Sequence, residues 1–241
     1  ESPRGYQDLS FFIDPSAPPA LRAQLPENIK RTDQAELADL SLAPLPGVDQ
    51  GAAWIYAVVT AFPTLKDGIS WQSLQDRWTG VSSESRLILL TEQTSNAMKT
   101  IFGEPGEFSL EVVAQDQLID RLWELQDQAI AIVPFEDLDP RLKVLTIDGQ
   151  SPISNQFDID QYPLQVHFGW QGSVEALELQ QRAVESGEAA QLLSNRDPGK
   201  LTVLVMTGVT ALVRATATRM EQMGMTYPGG DIREWLIDAD L

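Results

Sequence analysis

Apolar residues in this chain come in short dense runs, separated by breaks rich in proline, glycine and acid. Residues 9–13, 37–42, 52–60, 86–90, 109–113, 129–133 and 143–147 are compact and β-rich, which predicts strands. The run 52–60 is the densest. Trp54, Ile55, Tyr56, Val58 and Val59 leave it no polar face, as expected of a strand covered on both sides. Other segments carry helical spacing. Pro18 and Pro19 open a short helix to about 25, since proline is tolerated in a first turn. Ser70 is the expected N-cap of a helix through Trp78, with Trp71, Leu74 and Trp78 on one face and Gly80 as its stop. Thr94 or Ser95 is expected to cap a helix ending at Gly103. Asp116 is expected to cap 117–125, where Leu118, Leu122 and Leu125 form an apolar stripe.

The run 129–133 is closed by Pro134 and followed by the acidic loop Glu136-Asp137-Leu138-Asp139-Pro140. The next run ends in the turn pair Asp148-Gly149, and Tyr162-Pro163-Leu164 opens a further strand through Phe168. Residues 173–193 read as helical, 194–200 as a linker, 201–206 as a strand, and 211–223 and 231–237 as helices. Strands alternating with helices predict an α/β fold with mostly parallel sheets.

The chain holds 35 acidic residues against 17 basic ones, a formal charge of −18, which repels nucleic acid and anionic lipid and excludes a general nucleic-acid role. It has no cysteine, which excludes disulfides and thiolate-ligated metals. No apolar run reaches the roughly 18 residues that span a bilayer. At 241 residues it can hold a two-lobed domain and a short appendage.

Catalytic constellations are missing. There is no Gly-x-Ser-x-Gly elbow, no P-loop and no dinucleotide fingerprint. His167, the only histidine, lies on an expected strand and reads as structural. Asp137 and Asp139 read as part of a solvated loop. No catalytic residue, metal ligand or cofactor is assigned. The best binding candidates are Thr91, Thr94 and Ser95, between a strand end and a helix N-terminus, where free N–H groups and hydroxyls can cradle an anionic or polar group.

The order of these elements, with Asp148-Gly149 and Ser151-Pro152 as a "DG.SP" turn and Tyr162-Pro163-Leu164 as a "YPL" restart, resembles type 2 periplasmic solute-binding proteins, especially the phosphate-binding-like group. The resemblance covers about 9–168. It includes Phe62-Pro63-Thr64, the Trp78–Gly80 helix end and Ala38-Asp39-Leu40. It implies a two-lobed α/β fold with an interlobe cleft, and chain crossings near 60–66 and 162–168. Asp14, Ser16 and Thr60 would then face the cleft from the lobe opposite Thr91, Thr94 and Ser95. Phosphate binders of this group usually carry an arginine at the position of Thr91–Asn96. Here Glu92 stands in that stretch instead, so phosphate is expected to bind weakly or not at all.

Residues 130–135, the stretch "LDPRLKVLTIDG" at 138–149 and the expected strand at 201–208 resemble the binding-protein-like part of CapA-type proteins of poly-γ-glutamate capsule synthesis. Gly208 is followed by Val209, not the aspartate of that family's metal domain. The expectation is a non-catalytic, extracytoplasmic module of a longer polypeptide, binding a small polar or anionic solute or a capsule polymer. It divides into a two-lobed domain over 1–193, a linker over 194–200, and the start of a metallophosphatase-like domain over 201–241. The alternatives are the N-terminal fragment of a metal-dependent phosphoesterase, and a degenerate scaffold.

Overall fold

The computed structural model describes residues 5–45, 51–81, 87–208 and 212–241. Expectations for Pro46, Gly47, Arg86, Val209 and Ala211 fall outside them. By internal contacts the chain divides into two units, residues 1–152 with 159–196, and residues 153–158 with 197–241.

The first unit is built on one large sheet. Its elements run β1 (Ser10–Ile13), α1 (Pro19–Arg22), β2 (Lys30–Arg31), β3 (Leu40–Pro44), β4 (Ala52–Ala61), β5 (Gly68–Ile69), α2 (Trp71–Trp78), β6 (Leu87–Leu90), α3 (Glu92–Phe102), β7 (Leu110–Val112), α4 (Leu118–Leu125), β8 (Ala129–Pro134), β9 (Leu142–Val144), β10 (Thr146–Ile147), β11 (Gln165–Gly172) and α5 (Val174–Ser186). The strand order is β2-β1-β3-β11-β4-β8-β6-β7, with β9 also on β4, and β5 pairs separately with β10. Both ends of the path are parallel (β1 with β2 and β3; β6 with β7 and β8), while the two central strands β11 and β4 run antiparallel to their neighbours.

That arrangement makes two lobes. One holds β1–β3 with α5, around a core of Leu9, Phe11, Leu40 and Ala176. The other holds β6–β8 with α2–α4, around Val59, Leu89, Leu122 and Ala131. Strand β4 serves both. Ala52–Ile55 pair with β11, and Tyr56–Val59 pair with β8. Every β4 residue but Ala53 is buried, which is why the run 52–60 has no polar face.

Several expected boundaries shift for local reasons. The helix expected to be capped by Thr94 or Ser95 is capped instead by Thr91, whose Oγ1 accepts from the Thr94 N–H at 3.2 Å, and the helix therefore begins directly after β6. Helix α4 starts after Gln117 with no side-chain cap, not after a capping Asp116. The run 143–147 splits into β9 and β10, which lie in different sheets. At the next turn Asp148 and Gly149 both adopt positive φ (48° and 84°), the pairing that an Asp-Gly turn supplies. Helix α5 ends at Ser186, short of the expected 193, because Gly187 takes φ +78° and closes the last turn.

In the second unit, α6 (Ala215–Met223) and α7 (Arg233–Asp238) form, but residues 201–206 are not a strand. They are held by a few bonds to the chain's end, Val203 N–H to Asp240 Oδ2 at 2.9 Å and Val205 N–H to the Leu241 carbonyl at 3.1 Å. Ser154 Oγ and the Asn155 amide bind Asp238 at 3.0 and 2.7 Å. Among the described residues Met220 is the one buried hydrophobic side chain of this unit.

Candidate binding cleft between the lobes

The hinge is set by hydrogen-bond accounting along β4. Pro134, opposite Tyr56, is the last residue of β8 to pair, and proline has no N–H to continue a ladder. The Tyr56 N–H bonds the Leu164 carbonyl at 3.0 Å, on the β11 side. Alternate residues of a strand bond opposite edges, so the Ile55 backbone groups face the edge that β8 has just left. The Asn195 side chain fills that gap. Its Oδ1 accepts from Ile55 N–H and its Nδ2 donates to Ile55 O, both at 2.8 Å. The same Nδ2 donates to Glu136 Oε2 at 2.6 Å, and the Trp54 indole donates to Glu136 Oε1 at 3.1 Å. On the other side the Tyr162 hydroxyl donates to the Tyr56 carbonyl at 2.9 Å.

Beside this hinge lies a cavity of about 880 Å³. One wall is the turn and helix from Pro15 to Arg22; the other is the N-terminal turn of α3 with residues 112–115; Tyr56, Pro134, Glu136 and Asp137 lie between them. The Arg22 guanidinium is spent on backbone carbonyls, those of Ala17 at 2.7 Å, Pro15 at 2.8 Å and Asp14 at 3.3 Å. The Gln93 amide donates to the Ala17 carbonyl, joining the two walls. A second cavity, of about 800 Å³, is lined by Asp14, Pro15, Ser16, residues 43–45, Asn96, Thr100, Ile101 and residues 165–167. Asn96 lines both.

The first cavity is acidic. Glu136 and Asp137 are exposed to it by surface area, yet their carboxyls sit deep enough among wall atoms that desolvation raises both above the usual carboxylate range. Hydrogen bonds from Asn195 to Glu136 and from Gln115 to Asp137 pull the other way. The Tyr56 phenol is held neutral far above its ordinary range by burial, with the Glu136 and Asp137 charges adding to the effect. No group of three or more His, Asp or Glu among the described residues is placed to hold a metal ion.

The structure puts Thr91 and Thr94 on the first cavity and Asp14 and Ser16 on the second. Asp14 Oδ1 is engaged by the Ser16 N–H and hydroxyl at 2.8 and 2.5 Å. Ser95 is buried in α3 and lines neither cavity, and Thr60, on the β9 side of β4, lines neither. Asp139 is a solvated loop residue as read, clasped by Arg141 Nε at 2.9 Å, whereas Asp137 two residues earlier belongs to the cleft. Arg22, Tyr56, Gln93, Gln115 and Glu136 were not singled out. The usable signal was position: Glu136 and Asp137 directly follow the end of a fully buried strand, where a sheet opens its crevice.

The large unit has the two-lobed α/β fold of type 2 periplasmic binding proteins. The chain is similar to an ABC-type phosphate transport receptor from Vibrio cholerae, with TM-score 0.50 and 12% identity, covering 65% of this chain and 81% of that one. It is likewise similar to PstS from Borrelia burgdorferi, with TM-score 0.51 and 10% identity, covering 77% of this chain and 98% of that one. At these identities the likeness is one of fold. No protein-family model matches the chain, and no curated protein matches it.

Proposed function

We propose that the chain is a non-catalytic solute-binding module, acting outside the cytoplasm, which captures a small polar solute between its lobes by hinge closure. The observation that carries this reading is the cavity at the point where β4 changes partners from β11 to β8, walled by one lobe's Pro15–Arg22 segment and the other's α3 N-terminus. Ligands of α/β sheets bind at such switch points, and a cavity of this size suits a small molecule. The fold neighbour from Vibrio cholerae is a phosphate transport receptor by its description, which supports solute binding as one use of the fold. The resemblance of residues 130–135 and 138–149 to CapA-type proteins supports a place in capsule-polymer assembly, within a longer polypeptide; the strand expected at 201–208 as its third part does not form.

The chain has no cysteine, so paired labels can be placed without background. Ala20→Cys and Val112→Cys put one dye on each wall at exposed positions. Energy transfer between the dyes is expected to rise and saturate on titration with one solute class among phosphate, glucose, putrescine, agmatine and arginine. Unchanged transfer with every one of these at 10 mM, about the weakest binding that titration resolves, would refute hinge capture.

A further inference from the structure

Resting on the solute-binding reading, we infer that the first cavity selects solutes that carry a positively charged nitrogen, an ammonium or guanidinium group, and rejects inorganic phosphate. Three carboxylates line it, Glu92, Glu136 and Asp137, against the single guanidinium of Arg22. That guanidinium already donates to three carbonyls and has no carboxylate partner among the described residues. Glu92 occupies the first turn of α3, so the helix's positive end meets a fixed anion of the chain before any ligand arrives.

A second observation is independent of the acidic residues. Tyr56 is 1% exposed and lines the cavity, yet its hydroxyl has no hydrogen-bond partner among the described residues. The hydroxyl is not a fully buried atom, so a solute in the cavity can reach it. A solute N–H directed at the Tyr56 oxygen can form a hydrogen bond there, and the neighbouring carboxylates then hold the charge of the same group. A phosphate dianion placed there meets Glu136 and Asp137 instead. The hinge bonds from Trp54 and Asn195 keep Glu136 in place, so the negative field is present before the solute enters.

Calorimetric titration of the full chain with putrescine, agmatine, arginine, phosphate and glucose tests this. At least one of the three amines is expected to bind, more weakly as salt is raised, and phosphate to give no heat. Asp137→Asn should weaken the bound amine by about tenfold or more, the loss of one charge-assisted hydrogen bond. Glu92→Gln, at an exposed position that leaves the hinge intact, should weaken it by a smaller factor. Circular dichroism establishes that each variant is folded; if Asp137→Asn is not, Glu92→Gln and the salt series decide. Phosphate or glucose binding while the amines do not would overturn the charge preference and leave the capture reading standing. Amine binding indifferent to both substitutions and to salt would also overturn it. Silence from all five compounds would sink the capture reading together with this one.

Discussion

Trp54-Ile55-Tyr56-Ala57-Val58-Val59 and Leu201-Thr202-Val203-Leu204-Val205-Met206 are both β-rich apolar runs, and they finish in opposite environments. In the first, Val58 and Val59 are fully buried and the strand is paired along both edges. In the second, Leu204 is 58% and Met206 85% exposed, and no strand forms. The composition of a run states only that it would gain by burial. Whether it becomes a strand is decided by the elements that arrive at its edges and faces. β4 has β11, β8, β9 and the Asn195 side chain; residues 201–206 have a few bonds to residues 240 and 241.

The largest effect expected from this difference lies in the core around β4. Leu122 is fully buried on α4 against Val59, Leu89 and Ala131. Leu122→Ala should lower unfolding stability by about 2–5 kcal/mol, the range for emptying a packed leucine site. Chemical denaturation followed by tryptophan fluorescence measures it. A loss under about 1 kcal/mol, the usual effect of an average substitution, would mean that the core of this lobe is loosely packed.

Next comes the side chain that completes the strand. Asn195→Ala removes both bonds to the Ile55 backbone and one to Glu136, leaving a buried N–H and C=O without their partner. A cost of about 1–3 kcal/mol is expected for such groups. Amide hydrogen exchange should quicken at Ile55 and leave Leu89, deep in the second lobe, protected. Equal acceleration at both positions would show that Asn195 supports the whole fold and not the hinge alone.

These residues also mark how far the sequence could be read. β4, β8 and α2 were legible because local pattern and burial agree there: Ser70 caps α2 as its spacing suggests, with Ser70 Oγ accepting from Ser73 N–H at 3.1 Å. The cap of α3 was displaced to Thr91 because β6 runs directly into the helix, and three candidate hydroxyls within five residues look alike in sequence. The cleft was half legible. Thr91 and Thr94 lie on it, but the residues that give it its charge and its hinge do so across long separations, Asn195 to Ile55 across 140 positions and Trp54 to Glu136 across 82. No local pattern records such pairs. Asn195 sits in a stretch whose Ser, Asn, Asp, Pro and Gly content reads as a linker, and only the finished sheet shows that its amide stands in for a strand.

The smallest expected effect is the one that sharpens the contrast with β4 most. Leu204→Ala removes as many carbon atoms as Leu122→Ala, from a side chain more than half exposed. Little apolar area returns to water and no cavity forms, so unfolding stability should stay within about 0.5 kcal/mol of the parent. The same denaturation experiment serves for both leucines, which makes their ratio independent of the method. If Leu204→Ala instead costs more than about 1 kcal/mol, above the usual surface range, that side chain is covered in solution, and residues 201–206 have found the partner that β4 finds in its own sheet. Repeating the measurement over a hundredfold range of protein concentration then separates the two sources of cover: a second copy of the chain makes the cost grow with concentration, and a fold-internal contact leaves it constant.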